Sequence, residues 1–294
     1  MRRVGASGSP MRRIARALGV LLVAAVVSCA NAQGDAKRGL YLVKAADCVG
    51  CHTEDKPDAA PFAGGRPLKS PFGTFFGPNL TPHPEAGIGR WTEADFMTAM
   101  RHGRRPDGAN YYPSFPYPSF TRITDGDLRD LWAYLRTLPP SARPSQSHDL
   151  HFPFGFRFLV TFWKWLYFTP GSFANHTGDP SVVRGAYLVE ALGHCGECHT
   201  PRDLFGGPQR RRTLAGGKGP DGKRVPNITP TRLKPWSDAD LKEFFLTGAT
   251  PDGDAVSGAM DEVIRNTTSQ LTPADRLSLI AYLRSLAPIA DEPR

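Results

Sequence analysis

Two six-residue stretches decide the reading of this chain: "CVGCHT" at 48–53 and "CGECHT" at 195–200. Each pairs two cysteines three positions apart and follows the second with histidine. Their surroundings repeat as well. "RGLYLVKAADCVGCHT" from Arg38 answers "RGAYLVEALGHCGECHT" from Arg184. Further on, "PNLTP" (78–82) answers "PNITP" (226–230), and "WTEADF" from Trp91 answers "WSDADL" from Trp236. "PDG" recurs at Pro106 and Pro251, and "DLWAYLRTL" from Asp130 answers "SLIAYLRSL" from Ser278. Matching landmarks in one order over more than 100 residues mark two copies of one unit. Two copies are too few for a solenoid, so the pattern is a tandem of compact domains.

Each copy reads as helical, an all-α pattern with loops rich in glycine and proline. The spacing predicts a helix into each cysteine motif, with Leu40, Val43 and Ala46 inward in the first copy and Ala186, Val189 and Leu192 in the second. Thr92 and Ser237 read as helix caps followed by acidic first turns. The closing helices start near Thr124, with Leu128, Leu131, Trp132 and Leu135 inward, and near Thr272, with Leu277, Ile280 and Leu283 inward. No sustained alternation calls for a sheet.

The N-terminus reads as an export signal over 1–32. Five arginines without an acid precede the apolar run Ala17–Val27, and small residues at Ala30 and Ala32 suit cleavage. Val26-Val27-Ser28-Cys29 offers the rival of a lipidated Cys29. The whole chain carries 36 basic and 28 acidic residues; without the five arginines of the signal the balance falls to 31 − 28 = +3. The basic character therefore gives no ground for expecting nucleic acid. The other four of the five cysteines lie in the two motifs, in a chain expected to reach an oxidising compartment.

The spacing C-x-x-C-H has a covalent explanation. Two thiols on one helical turn add to the two vinyl groups of a haem, and the adjacent histidine supplies an axial nitrogen to the iron. A thioredoxin-like pair needs no histidine. A zinc site lacks its second ligand pair. A disulfide between cysteines so close is strained. The expectation is two covalently attached c-type haems, with Cys48, Cys51, Cys195 and Cys198 as anchors and His52 and His199 as axial ligands.

With those motifs, the repeated "PNLTP…GIGRWTEADF" and "PNITP…WSDADL" stretches and the terminal "AYL" helices, residues 33–288 resemble the bacterial class I c-type cytochromes. They are similar in particular to cytochrome subunits of periplasmic alcohol and aldehyde dehydrogenases. The resemblance implies a domain over 33–140, an aromatic-rich linker over 141–180 and a second domain over 181–294, each domain wrapped round one haem. It implies single-electron transfer from a donor dehydrogenase to a respiratory acceptor, by a carrier rather than an enzyme. It also implies a distal methionine late in each domain. Met260, 61 residues after His199, fills that place in the second copy. In the first copy the corresponding positions hold Phe115 and Ile123, which cannot bind iron. Met97, Met100, His83 and His102 remain as candidates there. The alternative function is a haem enzyme or small-ligand binder using an open position beneath Tyr111, Tyr112, Phe115 and Tyr117; a sensor is a third.

Two assignments stay double. Asn79, Thr81, Asn227 and Thr229 fit either haem propionates or their own turns, and Tyr41 and Tyr187 fit the core. "HFPFGFRFLVTFWKWLYF" (151–168) holds nine aromatic residues, Arg157 and Lys164, and no acid. It suits interdomain packing, a docking surface or association with a membrane interface.

Overall fold

The computed structural model describes residues 34–173, 177–219 and 222–291. The expected export signal lies outside them. In the first copy, α1 (Ala36–Ala45) leads into α2 (Cys48–His52), followed by β1 (Pro67–Ser70), β2 (Gly73–Phe76), α3 (Glu93–His102), α4 (Tyr117–Phe120) and α5 (Asp125–Leu135). The segment between the copies holds β3 (Asp149–Leu150) and α6 (Leu159–Tyr167). In the second copy α7 (Pro180–Ala186) continues through a wider π-helical stretch, Tyr187–Leu192, into α8 (Gly196–His199). After β4 (Gly217–Lys218) and β5 (Arg224–Val225) come α9 (Pro230–Leu233), α10 (Asp238–Thr247), α11 (Ala259–Asn266) and α12 (Pro273–Ser285).

The fold is mostly helical, as the spacing predicts, with one addition. β1, β2 and β3 form an antiparallel sheet in that order, and β4 pairs with β5. Strands of two to four residues are too short to show an alternation of period two, which is why the sequence pattern misses them.

In each copy the first helix crosses the last. The crossing needs a residue without a side chain. A Cβ on Gly39 would lie 2.0 Å from the Asp130 carbonyl oxygen, and one on Gly185 would lie 1.9 Å from that of Ser278. Leu42, Val43, Leu128, Leu131 and Leu135 close the first core; Val189, Leu192, Leu279, Ile280 and Leu283 close the second. Two expected core residues face outward instead: Leu40 and Leu277 lie on the far sides of their helices, away from the crossing. The caps are as expected. Thr92 with Asp95, and Ser237 with Asp240, form reciprocal capping boxes, and Thr124 and Thr272 accept from Asp127 and Asp275 amides.

The two copies pack face to face by an exchange. Tyr41 of the first donates its hydroxyl hydrogen bond to Asp275 of the second, and Tyr187 of the second donates to Asp127 of the first. Each hydroxyl also accepts from the amide that caps the opposite closing helix, Thr272 or Thr124. Arg184 holds Asp275 by two bonds of 2.8 and 2.7 Å, and Arg38 holds Asp127 and Asp130. Tyr41 and Tyr187 are thus interface residues, beyond the core role that the sequence suggests.

Burial alone would raise the Asp275 pKa, but the Arg184 and Tyr41 bonds outweigh it and hold the carboxyl below its ordinary value of 3.8. A lowered folded-state pKa contributes stability that is present above the unfolded value and lost as pH falls through the folded one. Asp275→Asn is therefore expected to flatten the loss of stability below about pH 4 in urea titrations. Tyr187→Phe leaves the buried Asp127 short of a donor and is expected to lower stability by about 1–3 kcal/mol at pH 7. An unchanged urea midpoint for Tyr187→Phe would show that the exchange contributes nothing.

Candidate functional site

Each cysteine motif is entered through a residue in the left-handed region. Asp47 has φ 47° and His194 has φ 40°, one position before the first cysteine in both copies. That backbone turn ends the leading helix and starts the short one carrying the motif, at a cost on the order of 1 kcal/mol. The four cysteines are unbridged. Burial pushes the Cys48, Cys51 and Cys195 thiols up to about 12. Asp47 is itself pushed up to about 6 by burial, with its Oδ1 unpartnered.

The histidines are fixed alike. His52 Nδ1 lies 2.8 Å from the Pro78 carbonyl oxygen, and His199 Nδ1 lies 2.8 Å from that of Pro226. A carbonyl only accepts, so Nδ1 carries the proton and Nε2 keeps a free lone pair. Burial lowers both imidazole pKa values, opposed in each case by the proline carbonyl, so the rings are neutral at pH 7. A neutral imidazole oriented through one nitrogen is what an axial iron ligand requires. The donor set of each motif therefore fits a covalent haem: two unbridged thiols one turn apart and a histidine nitrogen left free beside them.

The threonine that ends both motifs has a structural task. Thr53 Oγ1 accepts from the Phe62 amide at 3.0 Å, and Thr200 Oγ1 from the Leu214 amide at 3.1 Å. The histidine carbonyls accept from Gly64 and Gly216, both at 2.8 Å. Together these bonds return the chain past the motif and bring the proline carbonyls to the imidazoles. The repeat of "HT" is the sequence signal for them.

The asparagine and threonine side chains of the repeated loop follow the turn reading. Asn79 Oδ1 accepts from the Thr81 amide and hydroxyl, while its Nδ2 donates to the Ser141 and Arg143 carbonyls. Asn227 repeats this with Thr229, Ile289 and Asp291. Both pairs staple the loop to the chain after the closing helix.

Met260 sits at the start of α11, just after Gly258 with φ 71°, half-buried against the core. Helix α11 packs beside α2 of the other copy, and Glu262 in its first turn meets Arg66 at 2.8 Å. In the first copy, α4 packs reciprocally beside the Tyr187–Leu192 stretch, and Ser119 donates to Glu197 inside the second motif. Phe115 lies among Tyr111, Tyr117 and Phe120, with ring centroids 5.3, 6.3 and 5.8 Å away. Tyr112 does not join this group. It packs with Phe75 and Val160 and bonds the Gly155 carbonyl. Ile123 is fully buried, and Met100 is a core residue of α3. His83 caps a local turn through the amides of Glu85 and Ala86, and His102 is exposed.

A family model for cytochrome c matches residues 36–139. The chain is 44% identical to a dihaem c-type cytochrome from Cereibacter sphaeroides, over 98% of this chain and all of that one. It is also 36% identical to the cytochrome c subunit of a quinone-dependent alcohol dehydrogenase from Gluconobacter oxydans, over 95% of this chain and 61% of that one. To the fructose dehydrogenase cytochrome subunit of Gluconobacter japonicus the identity is 40%, over 86% and 53%. The chain thus spans a little over half the length of these dehydrogenase subunits. The motif geometry and the full-length relative agree: the chain belongs to the c-type cytochromes.

Proposed function

We propose that the chain is a periplasmic dihaem electron carrier. It is built from two tandem class I cytochrome c domains, over 33–140 and 181–294, joined by residues 141–180. The observation that carries this reading is the Nδ1-to-proline bond made by the histidine of each C-x-x-C-H. Two covalent haems, when bound, supply one-electron couples linking a dehydrogenase-type donor to a respiratory acceptor. Cys48 and Cys51, and Cys195 and Cys198, anchor them. His52 and His199 present Nε2 to iron, held in line by the proline carbonyls. Met260 would supply a thioether to the second haem iron, a ligand that favours the reduced state. The dehydrogenase donor rests on similarity to cytochrome subunits of alcohol, fructose and gluconate dehydrogenases. The periplasm rests on the 1–32 segment.

Denatured mature protein is expected to exceed its chain mass by two haems; one haem, or loss on acid-acetone extraction, overturns the reading. Met260→Ala is expected to remove a weak near-infrared sulfur-to-iron band and to lower one of two midpoint potentials. Persistence of the band excludes Met260 as ligand.

A second reading rests on Phe115 and Ile123, which put an aromatic ring and a buried aliphatic side chain where the second domain has sulfur. The first iron would then keep a position for a small ligand. Carbon monoxide titration of the reduced protein is expected to give one equivalent per two haems, and Phe115→Met to abolish that binding. Two low-spin haems inert to carbon monoxide would leave electron transfer alone, with Met100→Ala as the next variant to test for the sixth ligand.

A further inference from the structure

Helix α6 is amphipathic the wrong way round for a helix that faces water. Its one cation, and the one just before it, point into the protein. Lys164 Nζ donates to the His102 carbonyl and to Asn110 Oδ1, and Arg157, just before the helix, donates to the Asn110 carbonyl and lies over the Tyr112 ring at 4.6 Å. Trp163 and Tyr167 also turn inward, bonding the Phe205 carbonyl and Asp203 of the second copy. With Val160 buried, this inner face straps α6 across both halves.

The outer face is apolar. Phe158, Phe162, Trp165 and Leu166 follow one another at helical spacing, and Trp165 is 84% exposed. The preceding loop extends the strip through Phe156 and Phe152, whose rings follow at centroid distances of 5.9 Å. Leu204 and Phe205 are also exposed, at 94% and 71%, near the inner face where Trp163 bonds the Phe205 carbonyl. Leaving so much contiguous aromatic surface in water is unfavourable for a monomer.

The charge around the strip names its occupant. Residues 151–168 contain no acid. The turn Arg210–Arg212 stands at the C-terminal end of α6, where Arg210 bonds the Tyr167 carbonyl. Arg104 pairs along the backbone with Asn110, beside the Lys164 contact. Asp203 is engaged with Tyr167 and the Phe205 and Gly207 amides, and Asp107 with Arg105, while the exposed Asp149 lies three positions before Phe152. No helix among the described residues is long and apolar enough to cross a membrane.

We propose that α6 and the aromatic residues before it lie flat on an anionic lipid bilayer, with the phenylalanines and Trp165 among the upper acyl chains and Arg210 and Arg211 at the phosphates. Aromatic side chains favour this depth, and a short helix with one apolar face binds in the plane of the interface. The inference is independent of the haem reading, since it rests on no residue of either motif.

The test is flotation of the purified full-length mature protein with vesicles, in a Cys29→Ser background so that no acyl chain contributes. Vesicles of phosphatidylcholine containing phosphatidylglycerol are expected to carry the protein, and pure phosphatidylcholine to carry much less. Phe162→Ser, Trp165→Ser and Leu166→Ser together remove only outward side chains and are expected to weaken partition by roughly a hundredfold. Arg210→Gln with Arg211→Gln is expected to weaken binding to the anionic vesicles by roughly tenfold and to reduce its salt dependence. If the triple variant misfolds by circular dichroism, the arginine pair decides. The proposal falls if the protein floats with neither vesicle, or if the variants partition like the parent. It falls equally if the strip instead drives a concentration-dependent dimer that the triple variant dissolves.

Discussion

Within each copy, the leading and closing helices meet backbone to backbone. Gly39 against Asp130 and Gly185 against Ser278 leave no space for a side chain, and that closeness fixes the angle at which the leading helix ends. From there a single left-handed residue, Asp47 or His194, swings the chain into the cysteine turn. The aspartates at the crossing then meet arginines of the leading helices and tyrosines of the opposite copy. One steric constraint therefore sets both the internal geometry of a copy and the surface by which the copies join.

Side-chain chemistry with a fixed spacing was legible in the sequence. The capping pairs at Thr92 and Ser237 and the starts of the closing helices follow from local rules, and both are found where those rules put them. Contacts whose partners are remote in the chain were not legible. Tyr41 meets Asp275 across 234 positions, and nothing near either residue announces the other. The left-handed Asp47 and His194 escaped because no glycine marks them. Leu40 and Leu277 satisfy helical periodicity but lie outside the side that the glycine crossing turns inward.

The match between copies is closest where backbone is being held. The histidine-to-proline bond, the threonine bond to the returning strand and the asparagine staple recur at nearly the same lengths. It is looser seven residues after the repeated PDG glycine, where the first copy has Phe115 and the second Met260.

The tyrosine-to-aspartate exchange is the contact pattern of a two-fold symmetric dimer, in which residue i touches j and j touches i. Here both partners sit in one chain. A homodimer is bound to carry the same residue on either side of its axis, so any change on one side is made on both. Covalent connection lifts that requirement while preserving the reciprocal seam, and it holds the two sides together at any protein concentration. Phe115 in one copy against Met260 in the other is a difference of the kind that an exact homodimer cannot carry.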